Sequence, residues 1–115
     1  MANTFKVITK AGVTSADVIY TVAGSTTAVL LRIMLGNTTS GATTATVTLT
    51  SDTANRSGAN NEANQTVELV TNAPIPVGSS LELLAGNKVV METTDTLSLT
   101  GSGATDIILS VMEIT

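Results

Sequence analysis

The chain contains no cysteine and no histidine, and its aromatic residues are limited to Phe5 and Tyr20. Each absence excludes a class of chemistry. Without cysteine there is no disulfide, no thiolate metal site and no thiol nucleophile. Without histidine the many serines cannot form a Ser–His pair, and no side chain titrates near neutral pH to serve as a general base. The chain is therefore expected not to be an enzyme. Basic residues are also scarce: Lys6, Lys10, Arg32, Arg56 and Lys88 are scattered through a chain of net charge −4. Nucleic-acid binding needs a basic face for phosphates and aromatic rings for bases, so no such partner is expected. The longest apolar run, Ala28 to Leu31, is far too short to cross a bilayer and is followed by Arg32. The opening MANTFKVITKAG holds no apolar stretch of the signal-peptide kind. No membrane partner and no cofactor are expected.

What the chain does contain is threonine, at 22 positions among 115, together with valine, isoleucine and leucine. Branching at Cβ restricts χ1 in a way that suits a pleated strand. Such a length makes one domain with little core to spare. The core must be aliphatic, each fully buried side chain contributing about 1.5–3 kcal/mol. A core this thin is expected to gain by burying further surface against neighbouring subunits.

The segments read as short strands separated by Gly, Asn, Asp and Ser. TFKVITK alternates Phe5, Val7 and Thr9 against Lys6, Ile8 and Lys10, and DVIYTVA breaks at Gly24. TAVLLRIMLGN places Val29, Leu31, Ile33 and Leu35 on one face and Ala28, Leu30, Arg32 and Met34 on the other. TTATVTLT is the clearest alternation, with Ala45, Val47 and Leu49 inward. The stretch from 51 to 64 is a polar loop; QTVELV then resumes the sheet through Val67 and Leu69, and SLELL, KVVMET and TLSLTG continue it. DIILSVMEIT is apolar on both faces, Ile107, Leu109 and Val111 against Ile108, Met112 and Ile114. Such a strand is either central in a covered sheet or packed at an interface. Eight or nine strands at this spacing specify an all-β fold: a single domain over residues 1–115, an antiparallel β-sandwich with the jelly roll as one arrangement of it.

Both prolines fall in NAPIPVGSSLEL. Pro74 and Pro76 cannot donate to a ladder, so PIP belongs at an edge or at a crossing between sheets. Pro76 suits the second position of a type I turn, with Gly78 at the fourth. Arg32 interrupts an apolar strand, where an unpaired charge is costly; it lies on an exposed face or meets a carboxylate across an interface. The interface candidates are accordingly Arg32, Pro74, Pro76, Ile108, Met112 and Ile114.

Other constellations are weaker. Glu82 with Glu92 or Asp95 could pair as carboxylates, but Glu68, Glu82 and Glu92 occupy outward strand positions and no sugar-stacking aromatics accompany them. Asp52, Asn55, Asn60, Asn61 and Glu62 supply oxygen donors to one loop, yet their spacing does not match a helix–loop–helix calcium site and Arg56 intrudes. Asn37, Asn55 and Asn64 match the glycosylation acceptor pattern as chance matches in an Asn- and Thr-rich chain. No metal is expected.

Nearly the whole chain outside 51–64 resembles small virion structural proteins of tailed bacteriophages, particularly those of marine and cyanobacterial hosts. The segments that carry this are IYT at 19–21, APIPVGSSLEL at 73–83, KVVMETTD at 88–95 and the terminal LSVMEIT. The resemblance implies a non-enzymatic particle component, first a capsid decoration (cement) protein between major capsid subunits, as a trimer or dimer. It would be located in the virion and assembled in the host cytoplasm. A tail or neck component is the second implication. A host-surface or carbohydrate-binding module is a third, disfavoured by the scarcity of aromatics. The matching motifs describe framework, so no site residues carry over. Adding calcium is expected to leave the melting temperature unchanged; a rise with calcium but not magnesium would assign the 51–64 loop a metal.

Overall fold

The computed structural model describes residues 2–52 and 64–115. The loop residues Asn55, Arg56, Asn60, Asn61 and Glu62 lie outside the described residues. Every regular element among those described is a strand: β1 (Asn3–Val13), β2 (Asp17–Thr21), β3 (Thr27–Asn37), β4 (Thr43–Ser51), β5 (Gln65–Ile75), β6 (Ser80–Leu83), β7 (Val89–Met91), β8 (Thr96–Gly101) and β9 (Thr105–Ile114). They form two antiparallel sheets. One runs β1–β9–β3 with β6 and β7 both on the far side of β3; the other runs β2–β8–β4–β5. The ladders nest like one long rolled hairpin: β1 with β9, β2 with β8, β3 with β6 and β7, β4 with β5. That nesting is the jelly-roll connectivity.

Alternation builds the core. Ile107, Leu109 and Val111 of β9 point inward, as do Leu97 and Leu99 of β8 and Ala45 and Val47 of β4. On β3 the period slips. Leu30 pairs with Val111 but Arg32 pairs with Ser110, leaving Leu31 as an extra residue in a β-bulge. The inward set is therefore Ala28 and Leu30 before the bulge, and Ile33 and Leu35 after it. This corrects the expected grouping of Val29 and Leu31 with Ile33 and Leu35, because a strict two-residue period cannot register an inserted residue. Arg32 is turned outward into solvent.

β1 keeps its alternation. Phe5, Val7 and Thr9 pair with the outward residues of β9, while Lys6, Ile8 and Lys10 share the inward side. Lys6 reaches Glu113 at 2.8 Å and Lys10 reaches Asp17 at 3.1 Å. Inward-pointing charges on an edge strand discourage further strand addition. At the opposite corner β5 is the edge of its sheet, and Val67 there is exposed rather than buried with the core.

The two prolines sit where the chain leaves the second sheet for the first. Pro74 is exposed on β5, and the turn after Ile75 delivers the chain to β6. Ser79 N–H donates to the Pro76 carbonyl at 3.2 Å, and Gly78 has φ of 71°. The turn is thus Pro76–Ser79, one residue later than expected, with glycine in the third, left-handed position that a type II turn requires. Asn37 anchors this crossing. Its buried amide nitrogen donates to the carbonyls of Gly41 at 2.8 Å and Ile75 at 2.9 Å, so it is engaged inside the fold rather than offered as a glycan acceptor.

Deleting Leu31 removes the extra residue and leaves Leu30, Ile33 and Leu35 inward and Arg32 outward in an unbroken ladder, so a cooperative thermal transition is expected to survive. Deleting Leu31 and Arg32 together would turn Ile33 and Leu35 outward, and the transition is expected to vanish, whereas Leu31→Ala, which keeps the phase, should cost about 1 kcal/mol by chemical denaturation.

Candidate assembly surface

The outward side of the β1–β9–β3 sheet combines features that the sequence left scattered. Residues directly opposite each other on neighbouring strands share a face. Phe5 lies opposite Met112, Met112 opposite Val29, and Val29 opposite Val90. This makes an unbroken apolar row across four strands. Phe5 is 73% exposed and Val90 is 60% exposed, so the row is open to water. Two residues further along lie Val7, Ser110 and Arg32, and beyond them Thr9, Ile108, Met34 and Glu82. Ile114 extends the apolar area at the other end, between Asn3 and Thr27.

Four of the six interface candidates converge here: Arg32, Ile108, Met112 and Ile114. Pro74 and Pro76 do not; they are exposed near the crossing out of β5. Arg32 has its carboxylate within its own chain. Its Nε is 3.1 Å from Glu82 Oε1, and its Nη2 donates to Oε2 at 3.3 Å. Both side chains are about half exposed, so the pair contributes at most about 1 kcal/mol. Its main effect is to neutralise the charge of Arg32 beside the apolar rows.

At the end of this face opens a groove of about 340 Å³ lined by Thr9, Lys10, Ala11, Met34, Gly36 and Ile108, with Asp106 and Ile107 completing the lining. It exists because Gly36 contributes no side chain and because β1 bulges beside it. Gly12, at φ of 68°, donates its N–H to Asp106 Oδ1 at 2.9 Å. Such a depression accepts an apolar side chain.

The carboxylates weighed as an acid pair have structural partners instead. Glu82 holds Arg32. Asp95, buried, accepts N–H donors from Glu92 and Asp52 at 2.9 and 3.0 Å, closing the turn before β8. No group of three potential metal ligands occurs among the described residues.

One polar cluster escaped sequence reading. Glu113 of β9 is buried, and its carboxylate accepts from the Tyr20 hydroxyl at 2.5 Å while lying 2.8 Å from Lys6 Nζ. Tyr20 belongs to the other sheet, so this bond ties the two layers together. The acid sits at the inward phase of β9, after Ile107, Leu109 and Val111; that phase was the available signal. Lys6 first, then the Tyr20 hydroxyl, hold the Glu113 carboxyl below the usual carboxylate range against the opposing effect of burial. Burial, reinforced by Glu113, pushes the Tyr20 hydroxyl above the usual phenol range.

No family model matches the chain, and no curated protein matches it. A solved structure of Bacillus endospore appendages, described as a novel family of disulfide-linked pili, is similar along 99% of this chain and 87% of its own, with 18% identity and a TM-score of 0.49. At that identity and score the likeness carries no function across.

The cluster makes stability depend on pH in two separate windows. Glu113's contribution is complete above the unfolded carboxylate value of about 4.3, and it is lost as pH falls through the depressed native value. Tyr20's contribution is complete below the unfolded phenol value of about 10, and it is lost as pH rises through the raised native value. Tyr20→Phe should cost about 1–3 kcal/mol at neutral pH and flatten the alkaline limb of the melting-temperature profile. An unchanged alkaline limb would remove the cross-sheet bond from the account.

Proposed function

We propose that this chain is a non-enzymatic structural subunit of a bacteriophage virion, a decoration protein seated between major capsid subunits on the head. The observation that carries the structural part is the open apolar row of Phe5, Met112, Val29 and Val90 across the outside of one sheet. The largest contiguous apolar area on the outside of a small protein is often functional. The aliphatic core is consistent with this, since further burial adds to what a nearly aromatic-free interior supplies. The residues that resemble virion proteins support the particle assignment, and the framework they describe is the one that presents this face.

Function then consists of burying surface. A subunit that binds the assembled shell and not its separated parts stabilises the shell by mass action. Disulfide linkage, named for the pili above, is closed to a chain without cysteine. Joints to neighbours are therefore not of that kind.

Quantitative mass spectrometry of purified particles tests the assignment. Decoration predicts hundreds of copies, in fixed ratio to the major capsid protein. A few copies or tens would move the protein to the tail or neck, and its absence from mature particles would end the virion reading.

A further inference from the structure

We infer that the cover of this apolar face is a second copy of the same chain, docked face to face about a two-fold axis, with Phe5 of each copy seated in the groove of the other. The inference deepens the structural reading above by naming the partner. It requires the face to complement itself in shape, charge and area.

Shape comes first. The face carries one knob and one hole. The knob is Phe5, the most exposed large apolar side chain among the described residues, and the hole is the groove between Thr9, Met34, Gly36 and Ile108. They lie on opposite sides of the row formed by Val7, Ser110 and Arg32: Phe5 one row before it, Thr9 and Ile108 one row after it. A two-fold axis lying between the sheets, across the strands at this middle row, exchanges the rows on either side. It therefore places each Phe5 over the partner's Thr9–Ile108 row, and both knobs enter both holes at once. Closed two-fold contacts require this reciprocity.

Charge permits it. The chain carries −4 overall, so two copies repel over most of their surface. The axis brings the two Arg32 side chains opposite each other, each already paired with its own Glu82, while Phe5, Val7 and Thr9 of β1 and Ile108, Ser110 and Met112 of β9 carry no charge. Area is also sufficient. Four strands at about 4.8 Å spacing and nine residues at about 3.3 Å rise give about 500 Å² per copy, so about 1,000 Å² in total, the lower bound for a specific interface. The contact is a sheet-on-sheet packing of the kind that already forms the core.

Two substitutions attack the joint from opposite sides. Phe5→Ala removes the knob. Gly36→Leu fills the hole, and an added Cβ at Gly36 meets nothing within 4 Å of its own chain. Val67→Ala, at an exposed residue of β5 on the edge of the other sheet, is the control. In sedimentation equilibrium the purified parent is expected to be a dimer, and each of the two variants should raise the dissociation constant at least about tenfold. The control should leave it unchanged, and all three should keep a cooperative melt. A monomeric parent, an odd-numbered oligomer, or a dimer indifferent to both variants overturns the inference. A monomer that binds capsid shells and loses binding with Phe5→Ala would also overturn it, assigning the face to the capsid protein while leaving the decoration reading intact.

Discussion

Between β1 and β3 runs β9, and its inward side chains belong to the core that joins the two sheets. Ile107, Leu109 and Val111 face Leu97 and Leu99 of β8 and Ala45 and Val47 of β4 across the layer. No phenylalanine or tryptophan fills that layer, so its density depends on aliphatic side chains meeting in the right phase. β3 must supply Leu30 on one half and Ile33 on the other, and the bulge at Leu31 is what allows both. Interiors packed near crystal density leave little room for a side chain in the wrong phase. Everything outside the core inherits its orientation from this phase relation.

The polar ties hold the periphery of that layer. Tyr20 and Glu113 join the sheets beside β1, Asn37 fixes the crossing after Ile75, and Asp95 closes the turn leading to β8. Each satisfies buried donors or acceptors that would otherwise be costly. They act on structure, which accounts for acids and amides that in another setting would suggest chemistry. Among the described residues, Tyr20, Glu113, Asn37 and Asp95 hold strands and turns in place.

The outside of the first sheet follows from the same alternation. Because Ile107, Leu109 and Val111 point in, Ile108, Met112 and Ile114 must point out, and their neighbours Phe5, Val29 and Val90 join them. A strand apolar on both faces thus serves two layers: the domain's own core and a surface suited to a neighbour. The Arg32–Glu82 pair keeps the margin of that surface neutral.

Much of this was written in local pattern. The all-β class, the sandwich, the inward residues of β4 and β9, and the crossing at the prolines follow from period-two alternation and from the fixed φ and missing N–H of proline, all properties of neighbouring residues. Arg32, Ile108, Met112 and Ile114 share one outward face, which the pairing of β3 with β9 decides. What the linear order could not supply was anything set by a distant partner. The bulge at Leu31 is defined only against β9, the carboxylate for Arg32 lies 50 residues away on β6, and Tyr20 meets Glu113 from the opposite sheet. The one-residue shift of the turn to Pro76–Ser79 is of this kind too, since Asn37 of β3 holds its first carbonyls. Local sequence determined which residues alternate; tertiary pairing decided which way each half-strand faces, because a single inserted residue reverses the phase and only the neighbouring strand reveals it.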